Sequence, residues 1–209
     1  SGNIADYLGG GIALSYSNPY LLNMNISDNS AYHGGGMYLS YSSPTLTGVT
    51  FSNNTVGSRG GGIHLVVSSI SGSYLFINNN YSGGHGTGIF ISAESEVSLY
   101  NTTIVGNMVG GGDVFGAGIY SDGGIVNLIN SIIYYNRREG DFGINYNLNG
   151  YTMEYLEEYN VSYSDIEGDE NWMPEGVGNI SLNPEFVDHE NGNYDLNEGS
   201  PCIDAGTAD

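Results

Sequence analysis

Apolar and polar positions alternate along this chain in very short stretches, and the stretches return. Ile12-Ala13-Leu14 sets two apolar side chains on one side and a small one on the other, the period-two pattern of a strand with one buried face. A glycine-rich entry precedes it, and the whole unit recurs. Gly9-Gly10-Gly11-Ile12-Ala13-Leu14 is followed by Gly34-Gly35-Gly36-Met37-Tyr38-Leu39 and Gly60-Gly61-Gly62-Ile63-His64-Leu65. Gly86-Thr87-Gly88-Ile89-Phe90-Ile91 and Gly116-Ala117-Gly118-Ile119-Tyr120-Ser121 continue the series, at steps of 25, 26, 26 and 30 residues. A second motif keeps pace, an apolar residue followed three places later by Asn: Ile26/Asn29, Phe51/Asn54, Phe76/Asn79, Ile104/Asn107 and Ile133/Asn136. Each unit shows two strand patterns and no helical one.

A unit of this length is too short to bury a core alone, so copies must stack. Equivalent positions then lie one strand spacing apart, roughly 4.8 Å. The chain therefore coils once per repeat, as a parallel β-helix. Ile12, Met37, Ile63, Ile89 and Ile119 are predicted to pile up inside, with Leu14, Leu39, Leu65 and Ile91 beside them. Corners need positive φ, which Gly takes freely and Asn more readily than most residues. Asn29, Asn54, Asn79, Asn107 and Asn136 are expected to form a structural ladder, each amide bonding to the next.

Composition fits this picture. The 209 residues include 34 Gly, 25 Asn and 18 Tyr, with no Lys. No Gly-X-Y period runs through them, which excludes collagen. Three basic residues against 23 acidic ones leave a net charge of −20 and argue against nucleic acid as a partner. No apolar run approaches the roughly 18 residues of a transmembrane segment. The start at Ser1 shows no signal-peptide pattern, as expected of a mature, processed or partial chain. The single Cys202 leaves no internal disulfide. Charge is uneven: residues 1–110 hold four acids and Arg59, and residues 111–209 hold nineteen acids and two arginines. The regular coils are expected over 1–136, and irregular acidic coils with a C-terminal cap of the same domain over 137–209.

The paired Gly-Gly-x-Ile and Phe-x-x-Asn motifs resemble the repeats of bacterial polymorphic outer-membrane and secreted right-handed β-helix proteins. Asn183-Pro184-Glu185-Phe186-Val187-Asp188, Asn191-Gly192-Asn193-Tyr194-Asp195-Leu196 and Gly199-Ser200-Pro201-Cys202-Ile203-Asp204-Ala205-Gly206 resemble the end of the choice-of-anchor Q domain. That resemblance implies an extracellular or cell-surface bacterial location and no particular reaction. The fold expected is all-β, a right-handed parallel β-helix of about seven coils closed by a C-terminal cap.

Candidate chemistry is sparse. The outward positions Ala13, Tyr38, His64, Phe90 and Tyr120 predict an exposed aromatic strip, and Tyr38, His64, Phe90 and Tyr120 are the candidate contacts for a glycan or a neighbouring protein. Asp165, Glu167 and Asp169, with Asp188, Glu190 and Asp195, offer hard oxygen ligands beside glycine turns and are candidates for calcium; no other cofactor is implied. No catalytic residue is assigned. Lyase chemistry on acidic polysaccharides needs a basic group, and the repeats hold only Arg59. The function expected is a non-catalytic structural or adhesive solenoid; its N-terminal tip enters as if mid-repeat, so either upstream sequence is missing or this end docks onto another molecule, head to tail, to give a filament. The alternative is a carbohydrate-active enzyme with an acidic site in 139–195.

Overall fold

A computed structural model of the chain describes residues 1–110, 115–140, 147–150, 159–168 and 175–207. Four short strands make one turn of a parallel β-solenoid, and each strand pairs with its counterpart one turn away. The first sheet stacks Ile12–Ser15, Met37–Ser40, Ile63–Val66, Ile89–Ser92, Ile119–Asp122 and Leu148–Gly150. The second begins at Tyr20–Leu22 and ends at Tyr159–Ser162, and the third begins at Asn25–Ser27 and ends at Asp165–Ile166. The fourth holds five strands, from Ser30–His33 to Arg137–Arg138. The described residues thus form five complete turns and an incomplete sixth, fewer than the seven expected. The two strand patterns read per repeat resolve into four strands, because a corner divides each pattern.

The core is a set of vertical columns. Ile12, Met37, Ile63, Ile89, Ile119 and Leu148 are in register in the first sheet. Ile26, Phe51, Ile77, Ile104, Ile133 and Ile166 form the facing column of the third. From Met37 to Ile133 these side chains are essentially inaccessible to water, and Ile12, Leu14 and Leu21 of the first turn are half-buried. Apolar side chains of similar size stacked at the strand spacing pack closely against one another.

All four corners use left-handed backbone. After the first sheet it falls at Tyr16, Tyr41, Val67, Glu94 and Gly123; after the second at Asn23, Gly48, Tyr74, Asn101, Asn130 and Tyr163. After the third it falls at Asp28, Asn53, Asn79, Gly106 and Tyr135. The fourth corner alone is always glycine, at Gly9, Gly34, Gly60, Gly86 and Gly116. A β-carbon on Gly34 would lie 2.6 Å from the Met37 carbonyl oxygen and 2.8 Å from the Tyr38 Cβ, so no side chain fits.

The asparagine ladder is present, with one rung corrected. It runs Asn3, Asn29, Asn54, Asn80, Asn107, Asn136 and Asn147, each donating its Nδ2 to the Oδ1 of the next at 2.8–3.0 Å. Asn79 is not in it. Asn79 takes the left-handed corner position before the ladder residue, as Asn53 does before Asn54. The slip arises in Phe76-Ile77-Asn78-Asn79-Asn80, where two registers satisfy the same motif; Ile77, not Phe76, aligns with Phe51 and Ile104 in the core. The ladder residues are therefore not the ones at positive φ. Shorter hydroxyl ladders run at two other corners. Ser42 donates its N–H to Ser68 Oγ and Ser68 to Ser95 Oγ, while Thr102 donates to Ser131 Oγ and Ser131 to Ser164 Oγ.

The tail caps the last turn and then clasps the flank of the rod. Residues 177–182 bridge onto the last strand of the third sheet, through Asp165 and Ile180. The chain then turns back as an antiparallel hairpin, Phe186–Asp188 with Asn193–Leu196, joined by a 3-10 turn. Tyr194 packs edge-on against Phe76, three turns away, and its hydroxyl donates to Asn79 Oδ1 at 2.9 Å. His189 stacks on Tyr135, and the Thr207 N–H donates to Asn130 Oδ1.

Candidate functional site

The fourth corner builds the densest cluster of unusual side chains. The residues before its glycines are Leu8, His33, Arg59, His85 and Phe115, one per turn. Leu8 bridges to His33 and His33 pairs with Arg59; Gly60 donates to the His85 carbonyl and Gly86 to the Phe115 carbonyl. These five residues form a column along the rod. The glycine after each reverses the chain so sharply that the column leans over the outer face of the first sheet.

That face carries the second column. Ala13, Tyr38, His64, Phe90 and Tyr120 are in register. The two columns interlock with a stagger of one turn. His33 packs edge-on to His64 with ring centres 5.1 Å apart, the Arg59 guanidinium lies 4.9 Å over Phe90, and His85 stacks at 4.9 Å on Tyr120. The expected exposed strip is therefore corrected. Its register holds, but His64, Phe90 and Tyr120 are only 5 %, 1 % and 5 % exposed, and Tyr38 is half-buried. They point outward from the sheet and are roofed by the corner column. Solvent meets Arg59, Tyr7, Tyr32 and Phe115 instead.

Burial sets the electrostatics. The His64 imidazole is pushed down to about 3, first by burial and then by His33 and Arg59. His33 and His85 are lowered by the same two influences, burial before Arg59, with His85 partly offset by the Phe115 amide and Asp122. All three are neutral at pH 7. The Phe115 N–H donates to His85 Nδ1 at 3.0 Å, which places the ring proton of His85 on Nε2. The Nδ1 atoms of His33 and His64 are buried without a hydrogen-bond partner. Arg59 is the one full cation here. The ion pair found among the described residues is elsewhere, between Arg137 and Glu167.

The acidic candidates do not converge. Glu167 takes the Arg137 guanidinium with both carboxylate oxygens and also accepts from the Tyr135 N–H and from Asn147, so it ties off the ladder. Asp165 is buried; it accepts from the Leu182 N–H at 3.1 Å and from Cys202 Sγ at 3.1 Å. Burial raises it to about 6. Asp188 caps the 3-10 turn by accepting from the Asn191 N–H, and Glu190 and Asp195 are exposed. Asp169 lies outside the described residues. No three His, Cys, Asp or Glu side chains gather into a metal-holding group among the described residues. Asp165 and Glu167, on either side of the buried Ile166, are each taken up by different partners, and the tail carboxylates lie apart from them in the hairpin.

A cavity of about 600 Å³ lies between the clasp and the third sheet. Thr103, Asn130, Tyr163, Asp165 and Cys202 line it. Among the described residues no helix is long and apolar enough to cross a membrane. The chain matches no protein-family model, no curated protein and no solved structure.

Proposed function

We propose that this chain is a non-catalytic structural or adhesive β-solenoid that works at the cell surface or outside the cell. The observation that carries this is how its polar groups are used. The asparagine ladder, the hydroxyl ladders and the Arg137–Glu167 pair all bond turn to turn, giving a rod that holds its own shape. Among the described residues Glu167 is the carboxylate whose charge reaches Asp165, and it is committed to Arg137 rather than free for a hydrolytic pair. The corner column that roofs the first sheet, with Arg59 exposed, supplies a surface of different chemistry from the acidic residues 111–209. The repeat and tail motifs resemble those of bacterial surface β-helices, which supports the location.

Incubation of the intact chain with cells and with a polysaccharide panel, with and without calcium, tests this. Attachment without release of new sugar ends is the expected result. Turnover of any polysaccharide would replace it with the carbohydrate-active alternative, which the Asp165-lined cavity favours. Light scattering across concentration reads end-to-end association.

A further inference from the structure

The charge of this protein is segregated, and the fourth corner carries Arg59, the single Lys or Arg of residues 1–110, with Asp122 as a carboxylate whose charge reaches His85. Residues 1–110 contain four carboxylates in all, Asp6, Asp28, Glu94 and Glu96. None of them ion-pairs with Arg59 among the described residues. His33, Arg59 and His85 stand in three consecutive turns, about one strand spacing apart. Behind them His64, 5 % exposed, holds an Nδ1 with no partner. Beside His33 the exposed rings of Tyr7 and Tyr32 stack at 5.9 Å, and Tyr32 closes over Gly57 so tightly that a β-carbon there would lie 3.2 Å from the ring.

We propose that this corner binds a carboxylated sugar, the Arg59 guanidinium gripping the carboxylate while the imidazoles of His33 and His85 face the neighbouring hydroxyls and the exposed rims of the stacked Tyr7 and Tyr32 rings flank the sugar. A planar guanidinium with free donors matches a carboxylate in a two-bond fork. Neutral imidazoles each carry one N–H donor, and His85 has its proton on Nε2. An acidic peptide fits less well. The backbone of the column is already hydrogen-bonded turn to turn at Gly34, Gly60 and Gly86, so no strand edge is open for a peptide to extend. This deepens the adhesive reading and rests on it for its biological setting, but the site is testable alone.

Calorimetric titration of the intact chain with a tetrasaccharide of uronic acid, its carboxyl-reduced counterpart and an acidic peptide of equal charge decides the matter. The uronate is expected to bind, weakening as salt rises. The reduced sugar, the peptide and Arg59→Gln with uronate are each expected to be weaker by about tenfold or more, the loss of one charge-assisted fork. Arg59→Lys, which keeps the charge and loses the fork, is expected between the two. The His33 and His85 ring signals of the unmodified protein should shift on adding uronate, which reads the site even if a variant folds poorly. Equal binding by Arg59→Gln, by the reduced sugar or by the peptide would overturn the proposal, as would unmoved imidazole signals. Cell attachment that survives Arg59→Gln while uronate binding is lost would remove this site from adhesion and leave the adhesive reading standing. Uronate binding without any attachment to cells would do the reverse.

Discussion

Asn80 gives both of its nitrogens to one atom: its backbone N–H and its Nδ2 donate to Asn107 Oδ1 at 3.1 and 2.9 Å. Its own Oδ1 receives the same two bonds from Asn54, and its Nδ2 also reaches the Phe51 carbonyl. Neighbouring Asn79 instead sits at a corner with φ 53° and accepts one bond from Tyr194.

This contrast predicts very different costs for adjacent residues. Asn80→Ala takes the acceptor from the Asn54 N–H and from one of its two Nδ2 hydrogens, the other staying on the Ile26 carbonyl, and removes a donor from the Phe51 carbonyl; at about 1 kcal/mol or more each, a loss of about 3 kcal/mol is expected. Asn79→Gly, the residue used by the next turn at Gly106, should cost about 1 kcal/mol or less. Chemical denaturation of both variants checks the ladder register; equal losses would return Asn79 to the ladder.

Corner positions divide by what lies over them. Gly34→Asn puts a Cβ into the Met37 carbonyl and is expected to cost about 2 kcal/mol or more. Val67 is the reverse case, a β-branched residue held at φ 47°. Val67→Asn should stabilise by about 1 kcal/mol, because asparagine takes that backbone with less strain. Melting temperatures moving in opposite directions would bear this out.

Acid should weaken the fold through His64. An unfolded histidine titrates near 6.5, whereas the folded His64 does so at about 3. Between these values the unfolded chain takes up a proton that the native chain refuses. The stability is therefore intact above pH 6.5 and is lost as pH falls toward 3. His64→Phe, matching Phe90 in the next turn, removes this loss; at pH 5 the variant should gain about 2 kcal/mol over the parent that is absent at pH 7.5. A constant difference across that range would refute the assignment.

The clasp can be followed through its thiol. Burial, with Asp165 beside it, pushes Cys202 up to about 12. Little thiolate exists at pH 8, so a disulfide reagent should label the native chain at least about tenfold more slowly than the urea-unfolded chain. Similar rates in both states would mean that the tail does not pack on the third sheet.

Alternation within Ile12–Leu14 and its copies determines which side chains face inward, because the pleat has a period of two and needs only local sequence. The repeat step determines which residues stack, since a chain returning every 25–30 residues leaves each strand only its counterpart to pair with. Those two facts contain the parallel solenoid, its inner columns and most of the ladder. Packing decided the rest. Phe76 and Ile77 satisfy the same motif, and only burial against Phe51 and Ile104 selects Ile77 and thus Asn80. Tyr38, His64, Phe90 and Tyr120 alternate outward correctly, yet outward is not exposed when Arg59 and His85 of adjacent turns fold over them. The hydroxyl ladders had no signature, since serine is common throughout and only its height on the rod makes it a rung. The tail motifs were legible as a terminus, but Tyr194 meeting Asn79 is a contact across 115 residues. Local sequence carries period and facing; it holds no record of which distant surface comes to lie on top.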